Sequence, residues 1–332
     1  MWNNLISLRE VAQLARRLAR EPALARGVLA RLPLTGRGRV EAAWAHTESL
    51  TRQWWDIPAV VARWNRMISG DPACPPHRYV LEKHLRGREP LTALSLGCGD
   101  GTKEMEWATT GAFRAIEAWD LSAQRIASAR EEAASRGLDR LISFEVGDVH
   151  ALPMAPGAFD LVLADHALHH FTPLEPLLRR IHAALAQDGV FVVNEFVGPS
   201  RFQWTDRQMA AANELLARFP DRYRTLAGSR HTRLPVIRPS RLGMMLRDPS
   251  EAVESARIME LLPRVFDVKE VRGYGGAVLH LLFAGIAHHF MDPDAEAQRL
   301  LTLAFETEDA LIARGEVGHD FVLAVCGRRT EG

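Results

Sequence analysis

Cysteine is scarce in this chain of 332 residues, and its three cysteines are far apart in the sequence. Cys74, Cys98 and Cys326 match no metal-ligand spacing, and an odd number of cysteines is untypical of a disulfide framework. We therefore predict no metal site, no disulfide framework and a reducing, cytoplasmic compartment.

An excess of charge of either sign is also missing, because 41 lysines and arginines balance 41 aspartates and glutamates. A general nucleic-acid binder needs a basic excess over its domain, so we predict no nucleic-acid partner. The apolar run at residues 278–290 is too short to span a bilayer. The sequence contains neither internal repeats nor low-complexity tracts. With 47% hydrophobic and 25% charged residues, its composition is typical of a globular enzyme.

What the sequence does contain is a glycine turn after a short apolar run. Residues 94–101 read LSLGCGDG, and a second apolar run ends at Trp119 and Asp120. This order predicts a strand, a turn where a ligand approaches the backbone, a helix, and a carboxylate placed for ribose hydroxyls. A dinucleotide-binding fingerprint would need a further glycine where Lys103 and Glu104 stand. The pattern therefore predicts a nucleotide-like cofactor and disfavours a dinucleotide.

Three further segments follow the glycine turn at the chain distances that strand–helix–strand units require. They are residues 144–149 (FEVGDV), 159–171 (FDLVLADHALHHF) and 185–195 (LAQDGVFVVNE). Together with Gly97, Gly99 and Gly101, they resemble the motifs of class I S-adenosylmethionine-dependent methyltransferases. The resemblance covers about residues 90–200 well and the rest of the chain more loosely.

The resemblance implies an α/β fold with a doubly wound, Rossmann-like sheet of seven strands, the last one antiparallel. It also implies S-adenosylmethionine as the cofactor. The family usually carries an acidic residue two positions before the first glycine, where this chain has Ser95, so Asp165 or Glu195 is a candidate replacement for that anchor. The positions that the resemblance assigns to the cofactor are Ser95, Gly97, Gly99, Gly101, Asp120, Leu121, Asp148, Val149 and Asp165.

Histidines follow the fourth predicted strand, beside the place where the family's methyl group lies. Methyl transfer by in-line displacement needs mainly alignment, unless the acceptor is a hydroxyl that must lose a proton. A histidine is the natural base near neutral pH, although a His-His pair only orients the loop in some family members. We predict His169 or His170 as the base, ahead of His166. Glu195 is a second candidate base or, in a weaker interpretation, a metal ligand with Asp165 and a histidine.

The absence of two further motifs restricts the class of methyl acceptor. Residues 165–168 replace the Asp/Asn-Pro-Pro-Tyr/Phe segment of amino-methylating nucleic-acid enzymes, and no Pro-Cys nucleophile motif is present. A small-molecule, lipid or glycan acceptor is favoured, with O-methylation ahead of N- or C-methylation because of the histidines. Two alternatives are a non-catalytic S-adenosylmethionine-binding module and a nicotinamide-dependent oxidoreductase, which would share Asp120 but lacks its glycine spacing here.

The chain divides by composition into three parts. Residues 1–40 contain eight arginines and predict a basic amphipathic helix and linker, which either packs on the domain or contacts an anionic membrane through residues 1–30. Residues 41–88 predict a helical cap rich in tryptophan. Residues 89–328 form the predicted catalytic domain, with helical insertions over the site at about 200–250 and 273–315. In its C-terminal part we predict helices at about residues 254–262, 278–290 and 295–313, and strands at residues 265–271 and 321–326. The cap tryptophans, which either line a pocket or attach the cap to the domain, are Trp44, Trp54, Trp55 and Trp64.

Overall fold

The computed structural model describes residues 52–329, and the basic helix predicted for residues 1–40 and Trp44 lie outside them. Within the described residues, seven strands form one mixed sheet in the order β3-β2-β1-β4-β5-β7-β6. β1 to β5 pair in parallel, whereas β7 runs antiparallel to both β5 and β6. This confirms the predicted doubly wound sheet with an antiparallel last strand. The strands are β1 (Leu91–Leu96), β2 (Phe113–Asp120), β3 (Ile142–Val146), β4 (Phe159–Asp165), β5 (Leu185–Phe196), β6 (Asp267–Gly273) and β7 (Phe321–Gly327).

A helix connects β1 to β2, β2 to β3 and β4 to β5, because each of these parallel pairs needs a crossover connection. Of the helices described between residues 52 and 329, none is long and apolar enough to cross a membrane. The α-helices are α1 (Pro58–Ser69), α2 (Pro76–Val80), α3 (Thr102–Ala108), α4 (Ala123–Ser135), α5 (Leu174–Ala184), α6 (Asp206–Arg218), α7 (Arg241–Arg247), α8 (Ile258–Val265), α9 (Leu279–Phe283) and α10 (Ala295–Ala313).

The core on one side of the sheet explains why β4 and β5 read as nearly continuous apolar runs. α5 buries Leu174, Leu177, Leu178 and Ile181, whose spacing of three or four residues places them on one face of the helix. They pack in one cluster with buried residues of β4 and β5, including Phe191. Strands of a parallel sheet that is covered on both faces need apolar residues on both faces.

The described residues form two compact units. One contains residues 65–197, 253–273 and 321–329 and holds the whole sheet. The other contains residues 52–64, 198–252 and 274–320 and holds α6, α7, α9 and α10. Inside this second unit, the buried Glu308 carboxylate accepts hydrogen bonds from the amides of Gly276, Val278 and Leu279 and pairs with Arg63.

Several predicted boundaries in the C-terminal part were wrong. The single helix expected at residues 278–290 is instead α9 and a separate 3₁₀ turn, Ala287–Phe290, because Gly285 between them has φ +78°. The helix expected at residues 254–262 begins only at Ile258, and the strand expected at residues 265–271 is shifted to Asp267–Gly273. The helix expected at residues 295–313 and the last strand from Phe321 are confirmed.

Candidate active site

The glycine turn after β1 is built from three glycines in the left-handed region. Gly97, Gly99 and Gly101 have φ of +74°, +57° and +76°, which L side chains rarely adopt. A Cβ at Gly97 would lie 2.7 Å from Ala167, and one at Gly101 would lie 2.5 Å from the Phe144 ring. At Gly99 the nearest atom would be a guanidinium nitrogen of Arg125, at 3.3 Å. Gly97 and Gly101 therefore have a packing reason to be glycine, whereas Gly99 lies in more open surroundings.

Backbone hydrogen bonds tie this turn to the loops after β2 and β3. The amides of Gly97 and Cys98 donate to the Trp119 carbonyl at 2.7 and 3.1 Å. The Gly147 amide donates to the Asp120 carbonyl at 2.9 Å. The Asp120 carboxylate accepts from the Gly99 amide at 2.9 Å and from the Ser122 amide at 2.8 Å. These hydrogen bonds therefore connect three loops at the carboxyl edge of the sheet, where open α/β folds bind ligands.

The remaining positions expected at the cofactor lie on the same loops. Leu121 follows β2 and is partly exposed. Asp148 is partly exposed, and its carboxylate accepts a hydrogen bond from the His150 amide at 2.9 Å. Val149 buries its side chain in the apolar core, so only its backbone remains for a ligand.

Asp165 ends β4, next to the end of β5. Both of its carboxylate oxygens accept hydrogen bonds from the Asn194 side-chain amide at 3.1 Å. The next residue, His166, has φ +51° and donates its backbone amide to the Asn194 carbonyl at 2.7 Å. This turn makes β4 end sharply, and it keeps the Asp165 carboxylate at the edge of the sheet.

Ser95 does not stand alone at the end of β1, because it is paired with a residue that the sequence analysis missed. Its hydroxyl donates to Glu104 Oε1 at 2.5 Å, and both residues are buried. Burial raises the pKa of the Glu104 carboxyl to about 7. The only signal in the sequence was an acidic residue three positions after Gly101, a place that surface carboxylates also take at helix starts.

Of the residues predicted to act as a base, His169, His170 and Glu195 lie together, whereas His166 lies beside Asp165. His169 Nδ1 lies 2.5 Å from Glu195 Oε1, and both side chains are buried. The Phe196 amide also donates to Glu195 Oε1. His170 is partly exposed, and its ring lies 4.0 Å from that of His169, centroid to centroid. His166 is also partly exposed, and its Nε2 lies 3.8 Å from Asp165 Oδ1.

A half-open cavity lies between the sheet and helices α2 and α3, within the unit that holds the sheet. His77 from α2 is a wall residue that the sequence analysis missed, and burial lowers its pKa. The cavity wall includes neither His169 nor His170. Its lining residues are Pro76, His77, Val80, Lys103, Glu106, Trp107, Leu163, Ala164, Asp165, Val192, Asn194 and Leu323.

These features define the class of the protein. A doubly wound sheet with a glycine turn after β1 and a carboxylate at the end of β2 is typical of proteins that bind a nucleotide-like cofactor. The single antiparallel strand β7, placed between β5 and β6, sets this sheet apart from an all-parallel dinucleotide fold.

Comparison with known proteins identifies a methyltransferase domain. Residues 88–245 match a family model described as a methyltransferase domain. Ajmaline N-methyltransferase of Rauvolfia serpentina is 29% identical over 106 residues, which are 32% of this chain and 36% of that protein. A malonyl-[acyl-carrier protein] O-methyltransferase of Legionella pneumophila is 30% identical over 125 residues, which are 38% of this chain and 43% of that protein. Residues 88–245 therefore carry a methyltransferase domain, in agreement with the resemblance to class I S-adenosylmethionine-dependent methyltransferases.

The matched region spans less than half the length of these two curated relatives. Among solved structures, an S-adenosylmethionine-dependent methyltransferase from Mesorhizobium loti is 21% identical with a TM-score of 0.44, over 76% of this chain and 97% of that one.

Proposed function

We propose that this protein transfers the methyl group of S-adenosylmethionine to a small-molecule, lipid or glycan acceptor. The main observation behind the proposal is the hydrogen bond from the Gly99 amide to the Asp120 carboxylate. It places a carboxylate beside a glycine with open surroundings at the carboxyl edge of the sheet. The domain match over residues 88–245 supports the same function. The named relatives include an N- and an O-methyltransferase, so the family alone does not choose the acceptor atom.

The cofactor's nucleoside part would be held by the three loops that are tied together. Asp120 has lone pairs beyond its two amide partners and accepts the ribose hydroxyls. Asp148 accepts the adenine amino group, and the backbone of Leu121 and Val149 meets the ring. The cavity beside Asp165 and Asn194 lies at the same edge of the sheet and belongs to the reacting end. When bound, the cofactor supplies a methyl group on a positively charged sulfur.

O-methylation of a hydroxyl acceptor is the favoured reaction, with a histidine after β4 as the base. His169 is oriented by Glu195, an arrangement in which a carboxylate fixes an imidazole tautomer and stabilises its charged form. The partly exposed His170, whose ring lies next to that of His169 at an interplanar angle of 43°, is the second candidate. Either ring would accept the hydroxyl proton as the acceptor oxygen is methylated. Three free cysteines favour a reducing compartment such as the cytoplasm.

Two measurements test this function. Calorimetric titration with S-adenosylhomocysteine and, separately, with NAD is expected to show binding of the first only. Incubation with methyl-deuterated S-adenosylmethionine and a panel of phenols, carboxylic acids and amines is then read by mass spectrometry, with a labelled methyl group expected on an oxygen. Binding of the cofactor without transfer to any acceptor would favour the non-catalytic module, and binding of NAD would favour the oxidoreductase.

A further inference from the structure

A buried carboxyl group beside the glycine turn lacks part of its hydrogen bonding. Glu104 is 2% exposed, and Ser95, which donates to its Oε1, is 1% exposed. The other oxygen, Oε2, has no hydrogen-bond partner among the residues that the structure describes. A buried charged oxygen without a partner is costly, so this carboxyl either keeps a proton or receives a cation.

Glu308, a buried carboxylate with a structural role, differs from Glu104 in its hydrogen bonding. It is fully buried, and its two oxygens accept three backbone amides while Arg63 supplies a positive charge. Glu104 has only the Ser95 hydroxyl and its own backbone amide as donors, and no positively charged side chain is bonded to its carboxyl group among the described residues. A carboxyl that served the fold alone would be expected to be satisfied as Glu308 is.

The charges that face Glu104 make the carboxyl hard to ionise in the free protein. Asp165 from the end of β4 and Asp100 from the glycine turn both add negative charge and, after burial, raise the pKa of Glu104. Cys98 in the same turn is a neutral thiol whose own pKa is raised by its burial and by Glu104. The neighbouring Lys103 is half exposed and directs its ammonium group to Glu106 at 3.1 Å.

We propose that Glu104, held by Ser95, is the carboxyl that accepts the positive charge of the cofactor's α-amino group, and that it loses its proton when the cofactor binds. The inference rests on the proposed function and deepens it. In the free protein below pH 7, most Glu104 carboxyl groups carry their proton. Arrival of the ammonium group between Glu104 and Asp165 favours the carboxylate, and the proton leaves to solvent with no other bond made or broken.

The test measures protons released on binding. At pH 6.5, S-adenosylhomocysteine is titrated into the full-length protein in buffers of different ionisation enthalpy. Because the pKa of Glu104 is about 7, we expect roughly three quarters of a proton to be released per ligand. The affinity should rise up to about tenfold per pH unit between pH 5.5 and 7, because the complex holds fewer protons than the free protein.

The comparison ligand is 5′-methylthioadenosine, which has the nucleoside and the thioether but no amino-acid tail. Its binding should release no proton and should not vary with pH. Glu104→Gln should abolish proton release with S-adenosylhomocysteine and weaken its binding at least tenfold, while leaving methylthioadenosine within about threefold. Glu117→Gln, an exposed carboxylate on β2, is the matched control and should behave as the wild type.

A second variant keeps the test decisive if Glu104→Gln fails to fold. Ser95→Ala removes the hydroxyl that lowers the pKa of Glu104, so proton release should persist and move to higher pH. Proton release that is unchanged in Glu104→Gln, or equal for the two ligands, would overturn the proposal while leaving the cofactor site intact. Failure of both ligands to bind the wild type would overturn the proposed function as well.

Discussion

The carboxylate of Asp120 accepts the Gly99 amide at 2.9 Å, so the end of β2 fixes the turn that follows β1. Its second oxygen accepts the Ser122 amide at 2.8 Å, which starts α4. A carboxylate offers about four lone-pair sites, so two remain for a ligand. Asp120 therefore shapes the glycine turn and can contact the ribose in the proposed complex.

Replacement of Asp120 should weaken cofactor binding more than it weakens the fold. We expect Asp120→Ala to lower the affinity for S-adenosylhomocysteine by roughly 10- to 100-fold, because hydrogen bonds to a charged acceptor contribute about 1.5–3 kcal/mol. Titration calorimetry measures the affinity, and circular dichroism checks the fold. Asp139→Ala, at an exposed position after α4, serves as the control. Unchanged affinity in a folded Asp120 variant would remove the ribose assignment.

Two glycines with nearly the same φ allow the cost of backbone strain to be distinguished from the cost of a steric clash. Gly101 has φ +76° and Gly111 has φ +75°, but a Cβ at Gly101 would lie 2.5 Å from the Phe144 ring, whereas Gly111 faces open space. We expect Gly111→Ala to cost about 1 kcal/mol from backbone strain and Gly101→Ala to cost about 1–3 kcal/mol more. Urea unfolding compares the two. Equal destabilisation would mean that the Phe144 ring moves aside freely.

The sequence predicted the sheet and the loops at its carboxyl edge because those features follow from local patterns. Apolar runs mark β1, β4 and β5, and the glycines at 97–101 mark a turn that only glycine adopts readily. The proximity of His169 and Glu195 likewise follows from their places at the ends of neighbouring strands, β4 and β5.

The pairing of Ser95 with Glu104 could not be predicted, because it depends on the rotation of α3 against β1. The position of His77 in the cavity wall depends likewise on the docking of α2, which hydrophobic periodicity does not specify. The predicted helix at residues 278–290 failed for a different reason. An apolar run alone does not distinguish one helix from two short ones separated by a left-handed glycine.

Stability should depend on pH through Asp320, in the unit without the sheet. Burial raises the pKa of Asp320 to about 7, although Gln208 donates to it at 2.8 Å. Because the folded pKa lies above the ordinary 3.8, the stabilising contribution is complete below about pH 4 and is lost as pH rises through 7. Asp320→Asn should therefore be more stable than the wild type at pH 8, by roughly 1–3 kcal/mol, and lose most of that advantage at pH 5.

Urea unfolding at the two pH values checks this prediction. Glu104 contributes a dependence of the same sign, since its pKa is also raised to about 7, so the difference between variant and wild type is the informative quantity. Asp206→Asn, an exposed carboxylate at the start of α6, is the matched control. A constant stability difference from pH 5 to pH 8 would contradict the assignment to Asp320.

The pair of His169 and Glu195 should control the rate of methyl transfer if His169 is the base. His169→Ala is then expected to lower the rate by roughly 10²–10⁴-fold, while the affinity for S-adenosylhomocysteine stays within a few-fold. The rise of activity with pH through a histidine-like pKa should vanish in this variant and persist in His170→Ala. Glu195→Gln should retain the fold but lower the rate of methyl transfer, because a neutral amide no longer orients the His169 imidazole as the carboxylate does. His182→Ala, at a partly exposed position of α5, is the control for the loss of a histidine elsewhere in the domain. Near-wild-type rates in both His169→Ala and His170→Ala would make the pair structural and leave alignment of the acceptor as the source of catalysis.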